Sequence, residues 1–319
     1  MFEWVITRPL GFIMKVIYDL VQNYGLAIIL FTVVIKLVLL PLNIRSQKAM
    51  RKQQKIQPIL AEIQKKYAND QEKLQREMMK LYKENDVSMT GGCLPMIIQM
   101  PILFGLYQII RWPLNYLIGV DWASADAINK VLDIQAKMVE KFPAAIGTLK
   151  DSTMEQLANT SQIQLSSWCE TLFGKSDPWV VNFNFLGLNL AEIPQNGLNY
   201  LMRGDFSNIG VILLLLIPIL AMFFTWLSTK VTQIQSGTNN TNQDAGNSAA
   251  QMSKSMNIMM PIMTGFFTLT LPSGMGIYWI ISSVVQILQQ LLLNAYFNKK
   301  GDEVVVKIPE NNRKNRKKR

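Results

Sequence analysis

Gly25–Leu42 (GLAIILFTVVIKLVLLPL) is an apolar stretch interrupted by a single charge, Lys36. At about 1.5 Å of rise per residue, a helix of this length crosses most of a bilayer. A lysine near the middle of a spanning helix costs about 3 kcal/mol on insertion scales, so it is kept where water or a polar partner meets it. The stretch therefore predicts a membrane-embedded fold with a polar environment inside it.

Working outward, the whole chain is 49% hydrophobic and only 17% charged over 319 residues, with a mean hydropathy of +0.15. The apolar content falls in blocks that predict spans at 23–43, 91–112, 209–229, 256–271 and 275–297, the fourth being short. Pro272, Ser273 and Gly274 separate the last two, too few for a domain and too turn-prone for a continuous helix, so a tight hairpin is expected there. The expected fold class is all-α: a polytopic membrane protein with five transmembrane helices.

Orientation follows from Lys and Arg in the loops. Ile44–Ser88 holds eleven Lys/Arg against six acids, and the tail Asn298–Arg319 nine against three. Pro113–Asn208 carries six Lys/Arg and ten Asp/Glu, the balance of an exported loop. The N-terminus and the loop 113–208 are thus expected outside, with 44–88, the loop 230–255 and the tail 298–319 cytoplasmic. Five spans close this topology consistently.

Residues 1–22 lack an uninterrupted apolar core and carry Glu3, Arg8, Lys15 and Asp19, unlike a signal peptide. Phe12, Ile13, Val16, Ile17, Leu20 and Val21 recur at helical spacing, with Lys15 and Asp19 on the polar side, which predicts an interfacial amphipathic helix; an ordinary packing helix is the alternative. Cys93 belongs at the cytoplasmic end of the second span and Cys169 in the external loop, so the two are not expected to pair.

In the cytoplasmic segment, Pro58 fits a first helical turn, and Ile59, Leu60, Ile63 and Tyr67 form one stripe. Asn69-Asp70 breaks it, and Leu74, Met78, Leu81 and Tyr82 form a second. The pattern predicts a helical hairpin with basic residues facing out, among them Lys65, Lys66, Lys73 and Arg76. Those residues suit either a docking surface or a solvated face that enforces topology. The tail ends in Arg313, Lys314, Arg316, Lys317, Lys318 and Arg319; such a run binds RNA or anionic lipid through phosphate charge, or serves as a final topology anchor.

Nothing points to catalysis. The chain has no histidine, the commonest general base and metal ligand, and the five spans have no Asp or Glu. No phosphate-binding glycine loop occurs. No cofactor, metal site or small-molecule substrate is expected, and a serine–lysine dyad of Lys36 with Ser282 or Ser283 is a remote alternative. The spans do hold uncharged polar residues. Thr32, Lys36 and Asn43 are spaced by four and seven, hence on one face of the first helix. Gln99 lies in the second span, and Tyr278, Trp279, Ser282, Ser283, Gln286, Gln289 and Gln290 in the fifth. They would line a wet groove with Lys36 as its charge, make interhelical hydrogen bonds, or leave Lys36 to snorkel.

The stretches NYGLAIILFTVVIKLVLLPLNIRSQKAM, LQREMMKLYKENDVSMTGGCLPMIIQMPILFGLYQII and MMPIMTGFFTLTLPSGMGIYWIISSVVQILQQ together resemble the core of the YidC family of membrane insertases. The resemblance covers about residues 1–112 and 183–319. It implies five helices around a hydrophilic groove open to the cytoplasm and lipid, with a cytoplasmic hairpin. It puts Lys36 where the family typically has an arginine that attracts acidic residues of a substrate. Lys36 keeps the charge but not the bidentate fork. Thr32 and Trp279 fall at substrate-contacting positions, and Gln99 at the glutamine of the QMP motif; Tyr278, Ser283 and Gln286 complete the expected groove. The absence of a large external domain before the first span leads to the expectation of a Gram-positive type of envelope, with the protein in the bacterial plasma membrane; the N-terminus has no lipoprotein-type signal and cysteine, unlike many such members.

The function so implied is insertion of transmembrane segments without chemistry or nucleotide. The implied partners are nascent membrane proteins, the ribosome through the basic tail, and membrane lipids, with the Sec translocon a further candidate. A small-solute channel or transporter is the competing class; it predicts a pore through both leaflets and paired charges or internal repeats, which the sequence lacks.

Overall fold

The computed structural model describes residues 3–87, 94–122, 124–141, 162–235 and 248–300. The expectations for Cys93, for the start of the second span at Gly91, for parts of the loops 113–208 and 230–255, and for the basic tail Arg313–Arg319 lie outside these residues. The described residues are mostly helical, and the chain forms two compact units. One comprises Met1–Val33, Met100–Ile219 and Phe266–Trp279; the other Val34–Gln99, Leu220–Gly265 and Ile280–Arg319.

In the first unit, a π-helical turn Glu3–Thr7 leads into α1 (Arg8–Val21). Its buried ridge is Leu10, Met14 and Tyr18, one residue per turn, with Gly11 packed against the Tyr116 ring. The apolar residues Phe12, Val16 and Leu20 are exposed on another side. The helix thus packs by one face and leaves a second apolar face exposed. Lys15 is not simply on a polar side; its Nζ donates to the Leu117 carbonyl at 2.9 Å and lies 3.4 Å from Asp19. The carbonyl belongs to a π-helical turn, Leu114–Ile118, whose end the ammonium caps.

The first span is not one straight helix. α2 (Tyr24–Val38) stops before Leu39, and α3 (Leu40–Lys66) continues at an angle of 59° to it. Pro41 explains the break: it has no N–H for the Leu37 carbonyl, and its ring disfavours a continuous ladder there. Asn43 therefore lies beyond the bend, and the expectation that it shares one straight helical face with Thr32 and Lys36 is corrected. Pro58 is also not a helix start but sits inside α3. The run Ile56, Ile59, Ile63 is buried without interruption, and its packing carries the helix through the one lost hydrogen bond.

α4 (Gln71–Glu84) returns along α3, and Ile56, Ile59, Ile63, Leu81 and Val87 form their core with Leu60, Tyr67, Leu74, Met78 and Tyr82 around it. The hairpin in the second unit therefore follows the two stripes. Asp70 caps α4, accepting from the Lys73 N–H at 3.1 Å.

After α5 (Leu94–Arg111), α6 (Ala125–Lys141) packs on α7 (Gln162–Phe173), and Val131, Ile134, Leu165 and Cys169 of these two helices are buried. A half-buried Lys130–Asp177 pair at 2.7 Å ties α6 to the segment after α7. Cys169 is free and buried, and burial pushes its thiol up to about 12.

A short hairpin follows, β1 (Asn184–Phe185) and β2 (Leu188–Asn189), closed by Leu186 and Gly187, both with positive φ. It modifies an otherwise all-α fold. The stretch around it joins two distant helix starts: Tyr24 N–H donates to the Asn182 carbonyl at 3.0 Å, while Ser273 N–H and Oγ donate to the Glu192 carbonyl at 2.9 and 2.7 Å. Gly274 N–H donates to the Leu190 carbonyl at 3.1 Å. These are the orphan donors of helix N-termini, here satisfied by extended backbone. Gly25 has no Cβ where the Phe185 ring lies, which lets the hairpin seat on α2.

α8 (Pro194–Met202), α9 (Ile209–Leu213) and α10 (Leu216–Gln235) come next, with a break at Leu214–Leu215. α11 (Ser248–Thr270) starts eight residues before the expected fourth span, and α12 (Ser273–Lys300) follows after a turn at Leu271-Pro272, so Ser273 and Gly274, expected in the separator, instead form the first turn of α12. Among the described residues, Ile209–Thr232 and Ser273–Lys299 are long and apolar enough to span a membrane, and the bent pair Tyr24–Val38 and Leu40–Gln53 makes a third. Ile258–Thr270 is apolar but shorter.

Candidate functional site

α2 carries Lys36 in its last turn, and the residue is buried, only 7% exposed. Among the described residues it makes no ion pair and no side-chain hydrogen bond. A charge so enclosed is costly unless polar groups or water reach it. In the same unit, α12 supplies Ser282 and Ser283, both buried, with Gln286 half-buried one turn on. Gln289 Nε2 donates to the Lys36 carbonyl at 3.1 Å, and Gln289 Oε1 accepts from Asn43 Nδ2 at 3.3 Å. Gln99, half-buried on α5, also belongs to this unit.

The other unit holds Thr32, Tyr278 and Trp279. Thr32 is fully buried, and its hydroxyl donates to the Ile28 carbonyl at 2.7 Å, so its proton is spent on its own helix. Tyr278 is buried, and Trp279 is half-buried with its ring stacked on Phe267, centroids 6.4 Å apart and planes within 8°. α2 and α12 meet at their N-terminal ends, where Gly274 packs against Tyr24 and Ile28.

One polar element went unread in the sequence. Thr225, Ser228 and Thr232 recur at three and four residues along α10, and the first two are buried. Gln290 Nε2 donates to Thr232 Oγ1 at 2.6 Å, and Thr232 Oγ1 donates on to the Ser228 carbonyl at 2.8 Å. Gln290 Oε1 and Thr225 Oγ1 are buried with no partner among the described residues. The helical spacing of the hydroxyls was the available signal, masked by the high apolar content around them.

On the hairpin, Lys73 pairs with the cap residue Asp70 at 3.0 Å and Arg76 with Glu72 at 2.7 Å, both pairs local to α4. Lys65 and Lys66 are exposed near the turn, and Lys66 lies 5.1 Å from the Tyr67 ring centroid. Exposed pairs of this kind contribute little to stability and leave the surface mixed in charge. At the base, Arg51 reaches the Asn294 carbonyl and side chain and lies 4.7 Å above the Phe297 ring, joining α3 to the end of α12.

With this geometry in view, the family described as 60Kd inner membrane protein matches residues 16–300. The chain belongs to that family. Among its relatives, the membrane protein insertase YidC of Caldanaerobacter subterraneus subsp. tengcongensis is 30% identical over 287 residues, covering 90% of this chain and 93% of the relative. That of Clostridium perfringens is 30% identical over 295 residues, covering 91% and 87%. That of Nitratidesulfovibrio vulgaris is 50% identical over 105 residues; the match takes in 33% of this chain and spans one fifth, 20%, of the relative's length. Membership of this family and the apolar helices fit a multi-pass protein of a bacterial cell membrane.

Proposed function

We propose that this protein is a membrane protein insertase that takes transmembrane segments from the cytoplasm through a hydrophilic intramembrane groove. The observation that carries the reading is Lys36: a buried ammonium on a spanning helix, with no ion pair among the described residues, beside a helix bearing Ser283 and Gln286. The spans offer it no fixed acid. A transient one is the substrate's own exported acidic flank. The relatives named as insertases support the same activity.

In this reading five helices span the membrane, with the N-terminus outside and the tail inside. The substrate's flank rests beside Lys36, Gln99, Ser283 and Gln286. Thr32, Tyr278 and Trp279 contact its apolar segment, which then partitions into lipid. Polar backbone crosses part of the bilayer in water and near a cation rather than in hydrocarbon, and hydrophobic transfer of the substrate drives the step. No covalent chemistry or nucleotide is involved. The hairpin residues Lys65, Lys66, Lys73 and Arg76 form a docking face for the incoming chain. The tail Arg313–Arg319 binds ribosomal RNA or anionic lipid, and the Sec translocon is a further partner to be tested.

The test replaces Lys36 by Arg, Ala and Glu and measures insertion of a single-span substrate with an acidic exported flank. Arg is expected to retain activity, and Ala and Glu to lose it. Normal insertion by all three overturns the cation's role.

A further inference from the structure

The Gln289 side chain reaches both sides of the Pro41 bend. Its amide nitrogen donates to the Lys36 carbonyl, at 3.1 Å, in the last turn before the break. Its amide oxygen accepts from Asn43, at 3.3 Å, in the first turn after it. The orientation of the amide is dictated by its partners, because a backbone carbonyl only accepts and the opposite orientation would set oxygen against oxygen. The last carbonyls of a helix are the ones that lack intrahelical donors, so the bond supplies one where the backbone is short.

We propose that Gln289 is the positioning residue for Lys36: by bridging the bend it holds the turn that carries the ammonium in one orientation. This rests on the insertase reading for its functional consequence, but not for its geometry. A helix interrupted by proline has lost a ladder hydrogen bond and gained a hinge. With α3 and α4 levering on that hinge from the cytoplasmic side, an unbridged bend would let the Lys36 turn rotate. A charge that acts through a transient partner loses effect when it is not held, since its orientation must then be fixed anew in every encounter. Asn43 contributes only one end of the bridge, so its loss leaves the Lys36 carbonyl bonded.

The experiment compares Gln289→Leu and Asn43→Ala in the full chain reconstituted in vesicles. Leu keeps the bulk of the side chain and removes both hydrogen bonds. Spin labels at Leu30→Cys and Arg45→Cys, in a chain with Cys93 and Cys169 replaced, report the distance across the bend. Gln289→Leu is expected to shift and broaden that distance distribution, with Asn43→Ala giving a smaller change. Insertion of a substrate with an acidic exported flank should fall about tenfold with Gln289→Leu, the scale of one or two hydrogen bonds. A neutral-flanked substrate should insert as before. In a Lys36→Ala background, Gln289→Leu should add no further loss, because the residue it positions is gone. An unchanged distance distribution overturns the bridge. A changed distance with unchanged insertion of the acidic-flanked substrate, or equal losses with and without Lys36, overturns the positioning role. If Lys36→Ala alone inserts the acidic-flanked substrate normally, the parent reading falls and the functional half falls with it, while the label distance still decides the bridge.

Discussion

Lys36 was conspicuous because one charge among apolar residues has a cost that can be estimated before any fold is known, about 3 kcal/mol. Its burial in the structure removes the simplest form of snorkelling, in which the ammonium reaches open solvent. Other residues act through neighbours that no local pattern names. Gly25 is required because the Phe185 ring occupies the space of a side chain, so Gly25→Val should weaken the seat of the β-hairpin on α2 and raise hydrogen exchange at the Tyr24 amide. Cys169 should be inert: its thiol is buried and its ionisation is pushed up to about 12, so a maleimide should label it in detergent only after unfolding. Rapid labelling of the folded protein would contradict that. Asp70 provides a pH test. The Lys73 N–H and ammonium hold its carboxyl below the ordinary value of 3.8. A depressed folded value contributes stability that is present above 3.8 and is lost as pH falls through the lowered value. Exchange protection in the first turn of α4 should therefore hold at pH 5 and drop in stronger acid, and Asp70→Ala should abolish that pH dependence.

Elements were legible in proportion to how local their causes are. The two stripes of the hairpin needed only the 3.6-residue period, and the core they form contains Ile59, Ile63 and Leu81 as expected. Ile63→Ala in that core should cost about 2–5 kcal/mol of hairpin stability, read as earlier proteolysis between α3 and α4 with the spans intact. The end of α2 was read less well. Pro41 was present in the sequence, but apolar length on either side of it suggested one span, and the Thr32–Lys36–Asn43 face was drawn on a straight helix. Pro58 misled in the opposite direction, since tertiary packing of Ile56, Ile59 and Ile63 overrode a local stop signal. The polar stripe of α10 was missed because Thr and Ser amid Leu, Ile and Phe are common in membrane helices, and only a partner such as Gln290 gives them meaning.

At the scale of the whole molecule, charge distribution predicts topology and the backbone does not. Cysteines introduced at Lys48 and at Asp126 should be labelled from opposite sides of intact membranes, Lys48 from the cytoplasm and Asp126 from outside; labelling from one side would reject the five-span arrangement. Removing Asn311–Arg319 should weaken ribosome cosedimentation in a salt-sensitive way, because binding through phosphate contacts releases counterions. Loss that is independent of salt would point to another mode.

By itself the sequence determined that this is a helical membrane protein, which loops are basic, where the hairpin stripes lie, and that one buried cation needs explaining. Each of these depends on composition or on neighbours within a few turns. Only the tertiary structure decided how the helix starts are held and how the bend is bridged. The Ser273–Glu192 contact joins residues 81 positions apart, and the Gln289–Lys36 contact residues 253 apart. The physical reason is the same in both: a backbone carbonyl or N–H is identical at every residue, so the sequence shows which groups lack a partner in their own helix but not which distant group supplies one.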